Sequence, residues 1–251
     1  STPEIRLLIA AVNSAGFITP QKTVSLTDKL KGLLSDHQAG SLSSQVYQES
    51  ANKCDNEEIY TIIDLLDSAI AGQKQVRFKY RTRKIDKENI KSYTTKLFVV
   101  SPYALIWKDD RYYLVCNKMS HDNLMNLRLD RIRNLMILDA SARPVSECSE
   151  YEVFDPADYS AKMFNMFSGT VETVTLRCHL DLREQILDRF GSKIPLTAVD
   201  IWHFDTDVKA AVSDGFVSWI MQFGDMIKVV KPQYLADMVL EKAQKILKVY
   251  E

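Results

Sequence analysis

Arg128 and Arg131, with Asp130 between them, are the residues of this sequence whose types and spacing best suit chemistry on an anion. A guanidinium is planar and permanently charged, and its N–H groups form a fork that matches phosphate or carboxylate through two parallel bonds. Along Leu124 to Leu129 the apolar Met125, Leu127 and Leu129 recur at alternate positions, so this segment reads as a strand whose other face carries Asn126 and Arg128. Tyr112 can stack on a base or donate its hydroxyl there, and together these residues describe a nucleotide-shaped site. Each also has a plainer reading. An Arg-Leu-Asp-Arg string suits a solvated strand end with a local ion pair, and Tyr112 suits an aromatic plug. Tyr113 and Leu114 are assigned to the core.

A second cationic segment lies upstream. From Gln73 to Lys96 nine Lys or Arg stand against Asp86 and Glu88, a charge of +7, so with a total of −1 the remainder carries −8. Val76, Phe78 and Tyr80 alternate there with Arg77, Lys79 and Arg81, the pattern of a half-buried strand with a basic outer face. Such a face can track a single-stranded nucleic acid or can simply keep an edge strand from pairing with other chains. Lys79 and Tyr80 are assigned as ligand neighbours, whereas Arg81, Arg83 and Lys84, near a hairpin tip, are read as edge charges. Nothing fixes the direction of Lys96 or Lys118.

Other chemistries find little support. The eight glycines are never fewer than eight positions apart, so neither a phosphate-cradling loop nor a nucleophile elbow can be drawn. His37, His121, His179 and His203 fall in different elements and make no zinc pair at helical spacing. The chain is therefore expected not to be an enzyme and to carry no cofactor or metal. Cys54, Cys116, Cys148 and Cys178 are at least thirty positions apart, which suggests neither a metal pair nor a short disulfide framework, and a reduced cytoplasm is the expected compartment. No apolar stretch approaches the roughly 20 residues of a membrane span, so no membrane partner is expected. The chain opens on Ser1 rather than Met, which suggests a piece of a longer protein with a domain upstream.

These residues need elements to hold them. Thr2 as cap and Pro3 predict a helix running to Gly16 with Ile5, Leu8, Ile9 and Val12 inside; Leu26, Leu30, Leu33 and Leu34 mark a second, and Gly40 to Ser44 a loop. Asp55 and Glu58 have capping-box spacing before a third helix whose stripe is Ile59, Ile62, Ile63, Leu66 and Ile70. Strands are predicted over Tyr93 to Val100, Tyr103 to Trp107, Tyr112 to Asn117, Leu124 to Leu129 and Leu135 to Leu138, enough short strands for a small barrel. Ser141 to Ser168 reads as a connector. Beyond it strands 171–180, 198–212 and 226–230 alternate with helices 182–190, 216–223 and 233–250, an α+β sandwich. The predicted divisions are a helical region 1–72, a barrel 73–143, a linker 144–168 and a C-terminal domain 169–251.

Val100-Ser101-Pro102-Tyr103-Ala104-Leu105, Tyr112-Tyr113-Leu114-Val115 and Leu127-Arg128-Leu129-Asp130-Arg131-Ile132 together resemble the WYL domain of bacterial regulators, with Tyr112 standing where the family's name expects Trp. Phe216-Val217-Ser218-Trp219, Phe223-Gly224 and Val229-Val230-Lys231-Pro232 are similar to the WCX extension that follows many such domains. Glu4 to Ile9 and Lys29-Leu30 resemble the helices that follow a winged helix-turn-helix head, which this sequence lacks. The resemblance implies an α+β protein with N-terminal helices, an Sm-like small β-barrel and a C-terminal α/β sandwich. It also implies the ligand-sensing and dimerising region of a bacterial transcription regulator. The expected effector is a nucleotide, oligonucleotide or similar anion held by Tyr80, Lys79, Tyr112, Asn126, Arg128 and Arg131. The expected partners are a second copy of the chain and, through the absent domain, promoter DNA. The competing expectation is an oligomerisation scaffold without a small ligand.

Overall fold

Residues 1–40, 53–84 and 93–251 are described by the computed structural model of the protein. They form two compact units, Ser1–Val153 and Phe154–Glu251, and the fold is α+β as expected.

In the first unit, helices α1 (Thr2–Ser14) and α2 (Pro20–Lys31) pack on one another, followed by a short α3 (Asp36–Gly40). The cap of α1 is Ser1, one residue earlier than expected, and the N-terminal amine binds Glu4 at 2.6 Å. The predicted loop from Gly40 to Ser44 lies largely outside the described residues. Helix α4 (Ile59–Ala71) buries Ile59, Ile62, Leu66 and Ala69, as its stripe predicts. Its entry differs: the Asp55 carboxyl does not cap it, and the buried Asn56 does the bridging. Asn56 Oδ1 accepts from the Glu58 backbone N–H at 3.2 Å, and Nδ2 donates to the Ile132 carbonyl at 3.1 Å, tying the helix start to the sheet.

Five strands follow: β1 (Lys74–Arg83), β2 (Tyr93–Lys108), β3 (Arg111–Asn117), β4 (Met125–Arg128) and β5 (Ile132–Ser141). The two strands expected before Trp107 are one, continuous through a register shift between Pro102 and Ala104. All pairs are antiparallel, in the order β4-β3-β2-β1-β5. Val76 and Phe78 of β1 are buried with Val100, Leu114, Leu129 and Ile132 under α4, which follows from the alternation read in the sequence. A closed barrel was expected; among the described residues no ladder joins β4 to β5, and the sheet remains open. The Arg128 backbone N–H, at the end of β4, is bonded by the Tyr80 hydroxyl at 3.2 Å, and a 3-10 turn (Leu129–Arg131) carries the chain into β5. A side chain thus takes the position that a further strand partner would occupy.

The second unit begins inside the predicted connector. Helix α5 (Pro156–Lys162) is capped by Asp155, and Tyr159, Met163 and Phe164 beside it are buried. The sheet, ordered β7-β8-β6-β9, is built from β6 (Thr170–His179), β7 (Thr197–Ala198), β8 (His203–Val212) and β9 (Ile227–Lys231). Helices α6 (Arg183–Phe190), α7 (Asp214–Met221) and α8 (Gln233–Tyr250) complete the unit. Its core joins Val174, Leu176, Ile186, Phe204, Phe216 and Ile220, with the Phe164 ring 4.5 Å from that of Phe216. No helix among the described residues is long and apolar enough to cross a membrane.

Candidate functional site

The strand ends of the first unit bound a cleft of about 560 Å³. Strand β1 contributes Arg81 and Arg83, β3 Arg111, β4 Arg128, the 3-10 turn Arg131, β5 Arg133, and the segment before α4 Lys53; among the described residues, seven cations face Asp55 and Asp130. The described residues of the cleft therefore carry a formal charge of seven minus two, or +5, on a chain whose total is −1. Low-dielectric walls around charge of one sign raise the local potential and concentrate anions there.

Local structure explains how the cations converge. Asp109 and Asp110, with φ of 49° and 58°, form the two-residue hairpin turn between β2 and β3. Positive φ at both central positions suits the primed turns that match strand twist, and it starts β3 at Arg111. The Asp110 carboxylate accepts from the Gly16 N–H at 2.8 Å, locking the turn to the end of α1. Tyr93 stands opposite Arg83 in the β1–β2 register, and its ring lies 4.2 Å from the Arg81 guanidinium, which orders that arginine at the rim. Arg133 Nη1 donates to the Asp130 and Ile132 carbonyls at 2.6 and 2.8 Å, bracing the turn from below.

Arg128 is held most firmly. Nε and Nη2 donate to the two carboxylate oxygens of Asp130 at 3.0 and 2.6 Å, and this hydrogen-bonded pair raises the guanidinium further above its ordinary value. Beneath it, burial pushes the Tyr80 hydroxyl up, a shift opposed by the Arg128 N–H bond and by the Arg131 charge. Burial likewise raises the Tyr113 hydroxyl, with Arg128 pulling the other way. Cys54, also on the wall, is buried and its thiol is pushed up by desolvation, while desolvation lowers Lys53 against the pull of Asp110. Among the described residues no group of three or more His, Cys, Asp or Glu is arranged to hold a metal.

The residues proposed from sequence divide in two. Arg128 and Arg131 line the cleft together, and Tyr80 supports them from β1. Lys79 is exposed opposite Leu97 and Arg133 and does not line it. Asn126 shares the face of Arg128 but stands opposite Val115, off the cleft wall. Tyr112 packs with Phe17 at 4.8 Å and Trp107 at 6.3 Å and does not line the cleft. Tyr113, assigned to the core, is half-buried and paired with Arg128 across β3 and β4; Leu114 is the fully buried one. Sequence reasoning missed Arg111, Arg133 and Lys53, and read Arg81 and Arg83 as edge charges. The one available signal was the density of arginine at strand ends.

Tyr80 offers a direct check on this scaffold. Tyr80→Phe removes the oxygen that satisfies the Arg128 N–H, and a half-buried donor left unpaired costs about 1–2 kcal/mol. Denaturant unfolding of the two proteins should show that loss, with no change in slope.

The WYL domain family matches residues 61–137 and the WCX domain family residues 170–247. All the cleft arginines fall within the first of these ranges. No curated protein matches the chain. Among solved structures, the chain is similar to Proteasome accessory factor B/C (PafBC) of Arthrobacter aurescens, at 18% identity and a TM-score of 0.32, over 95% of this chain and 34% of that one. It is also similar to a CRISPR Cas-related protein, at 12% identity and a TM-score of 0.44, over 93% of this chain and 65% of that one. The chain thus spans about a third of the first protein's length and just under two thirds of the second's. With the two families matched in order over most of its length, the chain belongs to the proteins that join a WYL domain to a WCX domain.

Proposed function

We propose that the cationic cleft of the WYL unit binds a phosphate-bearing effector, a nucleotide or a short single-stranded nucleic acid. We further propose that the chain is the sensing region of a bacterial transcription regulator whose promoter contacts are made by another domain. The observation that carries the reading is the convergence, among the described residues, of seven Lys and Arg side chains on one cleft of about 560 Å³ against two carboxylates. That volume lies within the range typical of small-molecule sites, and the half-buried Tyr113 and the exposed Tyr93 supply aromatic surface beside the forks. Binding rather than catalysis is favoured by the state of the wall: the Cys54 thiol is held protonated by burial, and the Arg128 guanidinium neither gives nor takes a proton. The four cysteines are free and buried, which fits a reduced cytoplasmic setting.

Sensing requires that the effector bind one arrangement of the parent protein better than another. A homodimer supplies the two-fold geometry that paired DNA half-sites call for. Exposed Leu240, Leu247 and Tyr250 recur along α8 and favour self-association, with or without a ligand. Solution mass with and without oligothymidylate separates a ligand-coupled dimer from a scaffold indifferent to it.

The binding test is fluorescence anisotropy with a labelled short oligothymidylate. Arg128→Ala should weaken binding about tenfold, the equivalent of about 1.4 kcal/mol. Binding by both proteins that is equal and insensitive to salt would remove the cleft as the site.

A further inference from the structure

Asp130 is the one carboxylate of the described cleft that engages an arginine at two points, 3.0 and 2.6 Å from the Arg128 fork. The other acid, Asp55, reaches Arg133 only at 4.0 Å and is largely solvated. Two carboxylate oxygens present nearly the same face to a guanidinium as two non-bridging oxygens of a phosphodiester. We propose that Asp130 is an internal stand-in for the ligand phosphate, which an incoming phosphate must displace from Arg128 before the cleft is filled. This rests on the reading of the cleft as an anion site.

Geometry favours displacement of the side chain with little movement of the backbone. Asp130 projects from the 3-10 turn, whose carbonyl at the same residue is held by Arg133 Nη1 at 2.6 Å, so the carboxylate can swing by side-chain rotation alone. Both partners remain open to the cleft, with 29% of the Arg128 side chain and 21% of the Asp130 side chain exposed. Among the hydrogen bonds of the described residues, no element but Arg128 holds the Asp130 carboxylate.

The consequence is selectivity. A small monovalent anion gains only what Asp130 already supplies to Arg128, so exchange brings it little. A ligand with several phosphates also reaches Arg81, Arg83 and Arg131, and those added contacts offset the loss of the internal pair. The carboxylate therefore sets a threshold that favours oligonucleotides over isolated phosphate or carboxylate ions.

The test uses anisotropy of the same labelled oligothymidylate with Asp130→Asn, Arg128→Ala, the double variant and Asp55→Asn, each first checked for an unchanged melting profile. Asp130→Asn keeps the shape and one hydrogen-bond acceptor while removing the charge. It should tighten binding about tenfold, whereas Asp55→Asn should tighten it no more than about threefold, since that acid is solvated and screened. In the Arg128→Ala background the Asp130 substitution should add less than about twofold, because the competed group is gone. Inorganic phosphate should compete more effectively against the oligonucleotide in Asp130→Asn than in the wild type. An equal or weaker affinity for Asp130→Asn would overturn the proposal and make Asp130 a positioning residue for Arg128. So would a gain that persists without Arg128, which would be a general charge effect. Wild-type affinity in Arg128→Ala would instead defeat the anion-site reading itself.

Discussion

Simultaneous replacement of Arg81, Arg83 and Arg131 by alanine is expected to weaken binding of a short single strand roughly a thousandfold. Each of the three lines the cleft, and none has, among the described residues, an in-place carboxylate partner such as Arg128 has in Asp130. A hydrogen bond to a charged group contributes about 1.5–3 kcal/mol, so three at the lower figure give roughly 4.5 kcal/mol, or a little over three powers of ten. Salt gives the independent check. Binding to single strands falls with a logarithmic slope of about 0.7 per phosphate neutralised. If about four phosphates are engaged, raising salt from about 50 to about 200 mM should cost the wild type roughly fiftyfold. The triple variant should lose about two units of that slope, while its melting temperature stays close to the wild type because none of these side chains is buried in the core. An unchanged slope would mean that the ligand phosphates lie elsewhere.

Gly215→Ala is expected to destabilise the C-terminal unit by about 3 kcal/mol. Helix propensity alone predicts the opposite sign, since alanine is favoured over glycine by up to about 1 kcal/mol in a helix. The structure overrides it: a Cβ on Gly215 would stand 2.4 Å from the Phe164 carbonyl oxygen and 3.0 Å from Phe167 Cδ2. The first of these is main chain and cannot rotate away. Phe164 is itself wedged between Phe216 and Trp219, at 4.5 and 5.1 Å, so relief requires moving a packed aromatic cluster. Overpacking of a filled core costs about 1–3 kcal/mol, occasionally more. In a unit of this size such a loss lowers the melting temperature by more than about ten degrees. Trp219 emission during denaturant unfolding reports it, and a variant as stable as the wild type would show that α7 can shift at little cost.

Both predictions turn on what lies across from a residue, and the sequence shows this unevenly. The alternation of Val76, Phe78 and Tyr80 placed the inner face of β1 correctly because a strand puts alternate side chains on opposite sides whatever its partners. The stripe of α4 was legible for the same kind of reason, a local period matched to a local geometry. Arg128 and Arg131 could be singled out because guanidinium chemistry and a short spacing are written in the chain itself.

Tyr112 and Tyr113 show where that ends. The two point to opposite sides of β3, but which side meets Arg128 depends on the β3–β4 register, and the structure pairs Tyr113 with Arg128 while Tyr112 packs on Phe17 and Trp107. Arg81 and Arg83 look alike in sequence whether they face bulk water or a common cleft. Arg111 follows a turn and Lys53 precedes a helix, with no local mark of their meeting.

By itself, then, the chain determined the periods of its elements, the α+β class, the two-domain kinship and the nature of its charged groups, because each depends on neighbours a few positions away. Only tertiary structure decided that the sheet stays open, that Asp130 occupies the Arg128 fork, and that cations from six separate segments share one cleft. Coulomb attraction and hydrogen bonding act over ångströms of space, and strand pairing brings together side chains that sequence distance keeps apart.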